Sequence, residues 1–305
     1  MHAIDGIHHI TLITGDAPRN VDFYARVLGL RMVKKTVNQD DPGVYHLFYS
    51  DETGDPGADI TFFEYPGARR GSPGDGMVHR VVWRVASEGA LTFWEERLGA
   101  EGASPQRGPG SLRFSDPEGL AHELIVDGSG DVPLVARHPE VPAEHALQGF
   151  AGVRAFSSDP ERSRVFLEGA LGFAPGGEGW EARGPRRGST YVYDAPPAGR
   201  GIPGAGTIHH VAWSSSTEEH AAWHERVTAA GAMPSPIIDR FWFRSIYFRE
   251  PSGVLFEIAT LGPGFTADEP LETLGQALTL PPSYEHLRPQ LEQVLTPLPE
   301  VTRVG

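Results

Sequence analysis

The chain has 305 residues, 26 Lys and Arg against 40 Asp and Glu for a formal net charge of −14, and no cysteine. That length suits two domains with an ordinary buried core. The missing thiols exclude disulfides, thiolate catalysis and Cys-based metal sites, and the acidity argues against nucleic acid or an anionic membrane surface as a partner.

In chain order the sequence repeats itself. Residues 4–30, IDGIHHITLITGDAPRNVDFYARVLGL, lie over residues 147–173, LQGFAGVRAFSSDPERSRVFLEGALGF, at a constant offset of 143. GMVHRVVW (76–83) lies over GTIHHVAW (206–213), and DPEGLAHE (116–123) over EPSGVLFE (250–257). Four related units therefore begin near residues 4, 76, 147 and 206. Each opens on an alternating strand; in the first, Ile7, His9 and Thr11 share one face and His8, Ile10 and Leu12 the other. A polar cap with a proline follows (Asp16 with Pro18, Asp159 with Pro160), then a helix with an apolar stripe such as Val21, Phe23, Tyr24, Val27 and Leu28, stopped at Gly29 or Gly172. Three short strands complete the unit, near 31–37, 44–50 and 58–64 in the first. The pattern is βαβββ four times over: an α+β chain of two curved, cup-like mixed sheets. The expected division is an N-terminal domain over 1–127, a linker rich in Gly and Pro over 128–146, a C-terminal domain over 147–261, and a tail over 262–305 with one helix near 284–295. No apolar run approaches ~18 residues, and MHAIDGIHHITL has no basic segment leading into an apolar one, so a cytoplasmic protein without a signal peptide is expected.

Comparing the units against one another locates the chemistry. At the first-strand position stand His9, Arg80, Gly152 and His210; at the last-strand position of the second and fourth units stand Glu123 and Glu257. His9, His210 and Glu257 make a two-histidine, one-carboxylate set, the type that holds non-haem Fe(II) with open positions. The ligands come from the first and fourth units, so those two are expected to share one cup, and the second and third the other. Strand alternation turns His8 and His209 to the opposite face, toward the helices. His79 beside Arg80 reads as structural, Glu123 as a paired core carboxylate, and His46, His122, His220 and His224 as packing or solvated. Glu64, in ITFFEYPG, stands near the end of a last strand and is the candidate fourth ligand.

With HHIT, HHVAW and FEIAT on four such units, the chain resembles the vicinal oxygen chelate (glyoxalase/extradiol dioxygenase) superfamily. GIHHITLITGDAPRNVDFYARVLGLRMVKKTVNQDD, IDRFWFRSIYFREPSGVLFEIAT and GFTADEPLETLGQALTLPPSYEHLR look like the ring-cleaving dioxygenases that act on hydroquinones. The resemblance implies His9, His210 and Glu257 as ligands of Fe(II), with Mn(II) as the alternative metal. It also implies roles around the metal for His8, Thr11, His209, Arg240 and Tyr247. Its expected reaction opens a hydroquinone or catechol-type ring with O2 as the second substrate, in a monomer or a homo-oligomer. Two other readings stand beside it: a metal-dependent glyoxalase-type lyase or isomerase with Glu64 as fourth ligand, and a non-catalytic small-molecule binding protein.

Overall fold

A computed structural model describes residues 3–300. The first unit runs β1 (Ile7–Thr14), α1 (Ala17–Val21) continued by a π-helical stretch (Asp22–Val27), β2 (Arg31–Asn38), β3 (Asp41–Ser50) and β4 (Asp59–Glu64). The second runs β5 (Val78–Val85), α2 (Glu88–Ala100), β6 (Gln106–Gly108), β7 (Ser111–Ser115) and β8 (Ala121–Val126). The third runs β9 (Phe150–Phe156), α3 (Glu161–Val165) with its own π-helical extension (Phe166–Ala170), β10 (Ala174–Gly176), β11 (Gly179–Arg183) and β12 (Gly188–Asp194). The fourth runs β13 (Ile208–Ser215), α4 (His220–Ala229), β14 (Ile238–Asp239), β15 (Arg244–Arg249) and β16 (Leu255–Thr260).

Local signals act as the sequence implies at the first helix. The Asp16 side chain accepts from the Arg19 amide, satisfying one of the donors that a helix start leaves free, and Pro18 sits in the first turn. Gly29, at φ 69°, ends the segment in the left-handed region that side chains avoid. The third unit differs: Pro160 itself occupies the cap position and no side chain caps the helix.

The strands form two eight-stranded sheets, ordered β14-β15-β16-β13-β1-β4-β3-β2 and β10-β11-β12-β9-β5-β8-β7-β6. The first unit therefore crosses the length of the chain to pair with the fourth, β1 running antiparallel to β13, while the second pairs with the third through β5 and β9. One apolar core, containing Tyr24, Trp83, Trp94, Phe150, Trp213 and Trp223, joins the helices to the convex faces of both sheets. Polar contacts lock the two sheets together there. Trp83 Nε1 donates to His122 Nδ1 (3.1 Å), which leaves the His122 Nε2 proton for the Tyr24 hydroxyl (3.1 Å), and that hydroxyl donates to Asp116 (3.0 Å). His122 is thus a packing histidine.

A second, smaller apolar cluster lies inside the first cup: Val33, Phe48, Trp242, Phe243, Phe265 and Leu274 among others. Phe265 and Leu274 belong to the tail, which lies across the concave face and continues through a 3-10 turn (Pro282–Leu287) into α5 (Arg288–Val294).

Candidate active site

The site is built on the strands at the centre of the first sheet, where β1 and β13 meet. Ile7 pairs with Trp213 but His9 with Ala212, so His8 is an extra residue in β1; Thr11 pairs with His210 but Leu12 with Ile208, so His209 is an extra residue in β13. Both are β-bulges, and each lies at a His-His pair. In a regular strand, neighbouring side chains point to opposite faces. A bulge removes that alternation and re-aims a side chain. This is the physical reason the alternation argument fails for His8 and His209: His8 Nδ1 lies 3.0 Å from His9 Nδ1, and His209 Nδ1 lies 2.7 Å from His210 Nδ1.

His9, His210 and Glu257 converge. Glu257 Oε2 lies 3.2 Å from His9 Nε2 and 2.8 Å from His210 Nε2, and the two imidazole nitrogens are 3.4 Å apart. All three residues are buried. Three ligands on one face of an octahedral ion with bonds of about 2.1 Å stand about 3.0 Å apart, close to this triangle. Glu257 Oε2 is wholly buried, and its short contacts with the two imidazole nitrogens lack the angles of good hydrogen bonds. A carboxylate oxygen so poorly paired inside a protein is costly, and a cation between the three atoms removes that cost. Burial acts to raise the Glu257 pKa, but positive charge at His9 and His210, when either imidazole carries the extra proton, outweighs it and holds the carboxyl well below its usual range; a cation in the same place would act the same way. Its other oxygen accepts from Ser245 (2.5 Å).

Hydrogen bonding settles the His9 tautomer. The Thr260 carbonyl can only accept, so His8 donates to it through Nε2 (3.1 Å). His8 Nδ1 is then an acceptor and takes the proton of His9 Nδ1, leaving His9 Nε2 as a bare lone pair facing Glu257. Burial, followed by repulsion from His9, drives the His8 pKa down to about 3, so it stays neutral. His209 stands at the surface end of the matching pair, in contact with the Phe63 ring.

Above the triad lies a pocket walled by His46, Phe48, Phe63, Trp242, Phe243 and Tyr247, with Asn38, Gln39, Asp40 and Arg240 toward its mouth. Arg240 Nε donates to the Tyr247 hydroxyl (3.3 Å), and its two terminal nitrogens grip Asp40 at 3.0 and 2.8 Å. Burial, and next the Glu257 carboxylate, push the Tyr247 pKa up, keeping the phenol protonated. Phe241, at φ 74°, holds the left-handed conformation that a bulky residue rarely adopts, in the loop that presents Arg240, Trp242 and Phe243.

Two expectations are corrected. Glu64 is not beside the triad. It pairs with Thr14, five residues along β4 from Asp59, which lies level with His9, and it accepts from the Ala17 amide at the start of α1. The counterpart of Glu257, which pairs with Ala212, is the residue paired with Thr11, and that is Thr61. His46 is not mere packing either. It lies between Phe48 and Phe63, at ring distances of 4.0 and 4.4 Å, and donates to Thr61 (2.9 Å), whose hydroxyl donates on to Thr11 (2.8 Å). Thr11 is therefore buried beneath the pocket wall rather than facing the pocket. Among the described residues the second cup carries no such triad: Arg80 and Arg113 clasp Glu123 at 3.0 and 2.8 Å, and His79 pairs with Asp194 at 2.8 Å.

Comparison with known proteins agrees with this geometry. Residues 6–124 and 149–258 match the model of the Glyoxalase/Bleomycin resistance protein/Dioxygenase superfamily. MhqO of Bacillus subtilis (strain 168), by name a ring-cleaving dioxygenase, is 42% identical over 301 residues, 96% of each chain. The chlorohydroquinone/hydroquinone 1,2-dioxygenase of Sphingobium indicum is 32% identical over 306 residues, 94% of this chain and 95% of that one. A crystal structure from Bacillus subtilis subsp. subtilis str. 168, described as a dioxygenase, superposes with a TM-score of 0.92 at 40% identity over 100% of both chains. The chain belongs to the Glyoxalase/Bleomycin resistance protein/Dioxygenase superfamily, the vicinal oxygen chelate proteins, and its full-length relatives lie in the ring-cleaving branch.

Proposed function

We propose that the protein is an Fe(II)-dependent dioxygenase that opens a hydroquinone or catechol-type ring with O2, and that His9, His210 and Glu257 hold the metal. The observation that carries this reading is the triangle of three buried donor atoms, one a carboxylate oxygen without a well-aligned hydrogen bond, facing an aromatic-walled pocket. The names of the full-length relatives support it. Bound there, Fe(II) supplies neighbouring coordination positions for a diol oxygen and O2, and electron transfer between them.

The chain's own groups do the rest. Phe48, Phe63, Trp242 and Phe243 exclude water and favour a flat apolar ring. Tyr247, whose oxygen accepts from Arg240, keeps its own proton to donate to a substrate oxygen, and the Arg240 guanidinium stabilises negative charge developing there. His8 and His209 fix the orientation of the two ligating imidazoles, and Thr11 steadies His46 through Thr61.

The test is direct. Protein purified without oxygen is expected to bind one Fe(II) per chain and to consume one O2 per hydroquinone or catechol opened; oxygen uptake that survives complete chelation overturns the reading. A second expectation concerns the relay. His8→Phe keeps the ring shape but lets His9 place its proton on the nitrogen facing the metal. Metal affinity, measured by chelator competition, is expected to fall about 10–100-fold, with partial recovery in His8→Gln.

A further inference from the structure

The pocket above the triad is too small for the proposed substrate. Its free space is about 30 Å³, room for a water or two, whereas a cavity that admits benzene measures about 150 Å³. One wall must therefore yield. Phe48 and Phe63 sit in β3 and β4, each paired within the sheet. Trp242 is pinned by Asp268, which accepts from its indole nitrogen at 2.8 Å, and packs on Phe265. The mouth is different. The turn between β2 and β3 meets the loop after β14 through polar contacts near solvent: Asp40 on Arg240, and the Gln39 side chain donating to the Arg240 carbonyl at 2.9 Å. The Asp40 side chain is 71% exposed and that of Arg240 15%. Exposed ion pairs hold weakly and are screened by salt.

We propose that Asp40 is a specificity-determining residue: its carboxylate, gripping Arg240 with both oxygens, closes the mouth of the site and turns away rings that carry an anionic substituent. The pair also sets what Arg240 can do. While Asp40 holds both terminal nitrogens, it is Nε that faces the Tyr247 hydroxyl. A neutral diol enters when the pair swings outward and inserts beneath it. An anionic substituent has to approach the Asp40 carboxylate first, on a chain already at net −14. Removing that one charge leaves Arg240 uncompensated at the mouth, so an anionic substituent that met a carboxylate there now meets a free guanidinium. The inference rests on the dioxygenase reading for the class of ligand, but its geometry is independent of turnover.

The experiment compares hydroquinone with a carboxylate-substituted hydroquinone on the Fe(II)-loaded wild type, Asp40→Asn and Asp40→Glu. The readouts are kcat/KM from oxygen uptake and Kd from tryptophan fluorescence quenching without oxygen. In Asp40→Asn the ratio of carboxylated to unsubstituted ring is expected to rise about tenfold in both readouts. Asp40→Glu is expected to keep the wild-type ratio. The wild-type discrimination is expected to shrink as ionic strength rises. An unchanged ratio in Asp40→Asn overturns the proposal. If no diol supports oxygen uptake in the wild type, the dioxygenase reading fails, and the Kd ratio still decides the role of Asp40.

Discussion

Glu257→Gln is expected to abolish metal retention while leaving the fold in place. The amide keeps the size of the carboxyl and can still meet Ser245, but it cannot bring the negative charge that joins two neutral imidazoles around a divalent ion. Residues that merely orient a ligand are worth about 10–100-fold in metal affinity, so loss of the ligand itself is expected to exceed about 100-fold. The clearest readout is linkage. A metal present at about 100 times its Kd stabilises the folded wild type by about 2.7 kcal/mol, or a rise in Tm of about 5 °C. In Glu257→Gln the Tm with and without metal is expected to coincide. Taking the shift within each protein removes whatever the substitution does to the fold by itself. A variant that still shows the full metal-induced shift would show that Glu257 is not a ligand.

That triad was legible in the sequence because it depends on repeat position, and repeat position is preserved when the units fold alike. His9 and His210 occupy matching places in β1 and β13, and Glu257 occupies the adjoining parallel strand of the same unit, so comparing the chain with itself found them. The crossing of the first unit to the fourth followed from the same residues. Side-chain direction was not legible to the same degree, because alternation assumes a regular strand. Two one-residue bulges turned His8 and His209 toward their neighbours, and neither has a signature in IHHIT or IHHVA beyond the paired histidines themselves. Glu64 misled for a related reason. Its chemistry suited a ligand, but strand pairing sets Thr61, three residues earlier, across from Thr11. His46 was findable: Tyr45, Leu47 and Tyr49 carry the core-facing parity of β3, which leaves His46 and Phe48 on the concave side. The closing of the mouth was not, since Asp40 and Arg240 lie 200 residues apart in segments with no shared pattern.

Lys34→Met is expected to cause the largest loss of stability of any single substitution near the site, about 3–5 kcal/mol. Lys34 is fully buried in the cup, beside Val33, where a further bulge in β2 disturbs the alternation. Its ammonium binds Asp268 (2.9 Å), Glu269 and the Phe265 carbonyl (3.2 Å), and it lies over the Trp242 ring at 5.0 Å. The tail is thus tied to the concave face by one cation and two acids, and Asp268 carries the tie on to Trp242, a wall of the pocket. Methionine fills the volume but leaves Glu269, 7% exposed at its side chain, without its partner. Burying an unpaired charge is the costly outcome, whereas replacing all members of a buried ion cluster is often close to neutral. The triple variant Lys34→Met, Asp268→Asn, Glu269→Gln is therefore expected to recover most of the loss seen in urea unfolding. In Lys34→Met alone, limited proteolysis is expected to cut within residues 262–281, and KM for the diol to rise while metal content holds, because the wall that loosens is Trp242 and not the triad. A Lys34→Met protein with wild-type unfolding and an uncut tail would mean that apolar packing of Phe265 and Leu274 holds the strap by itself.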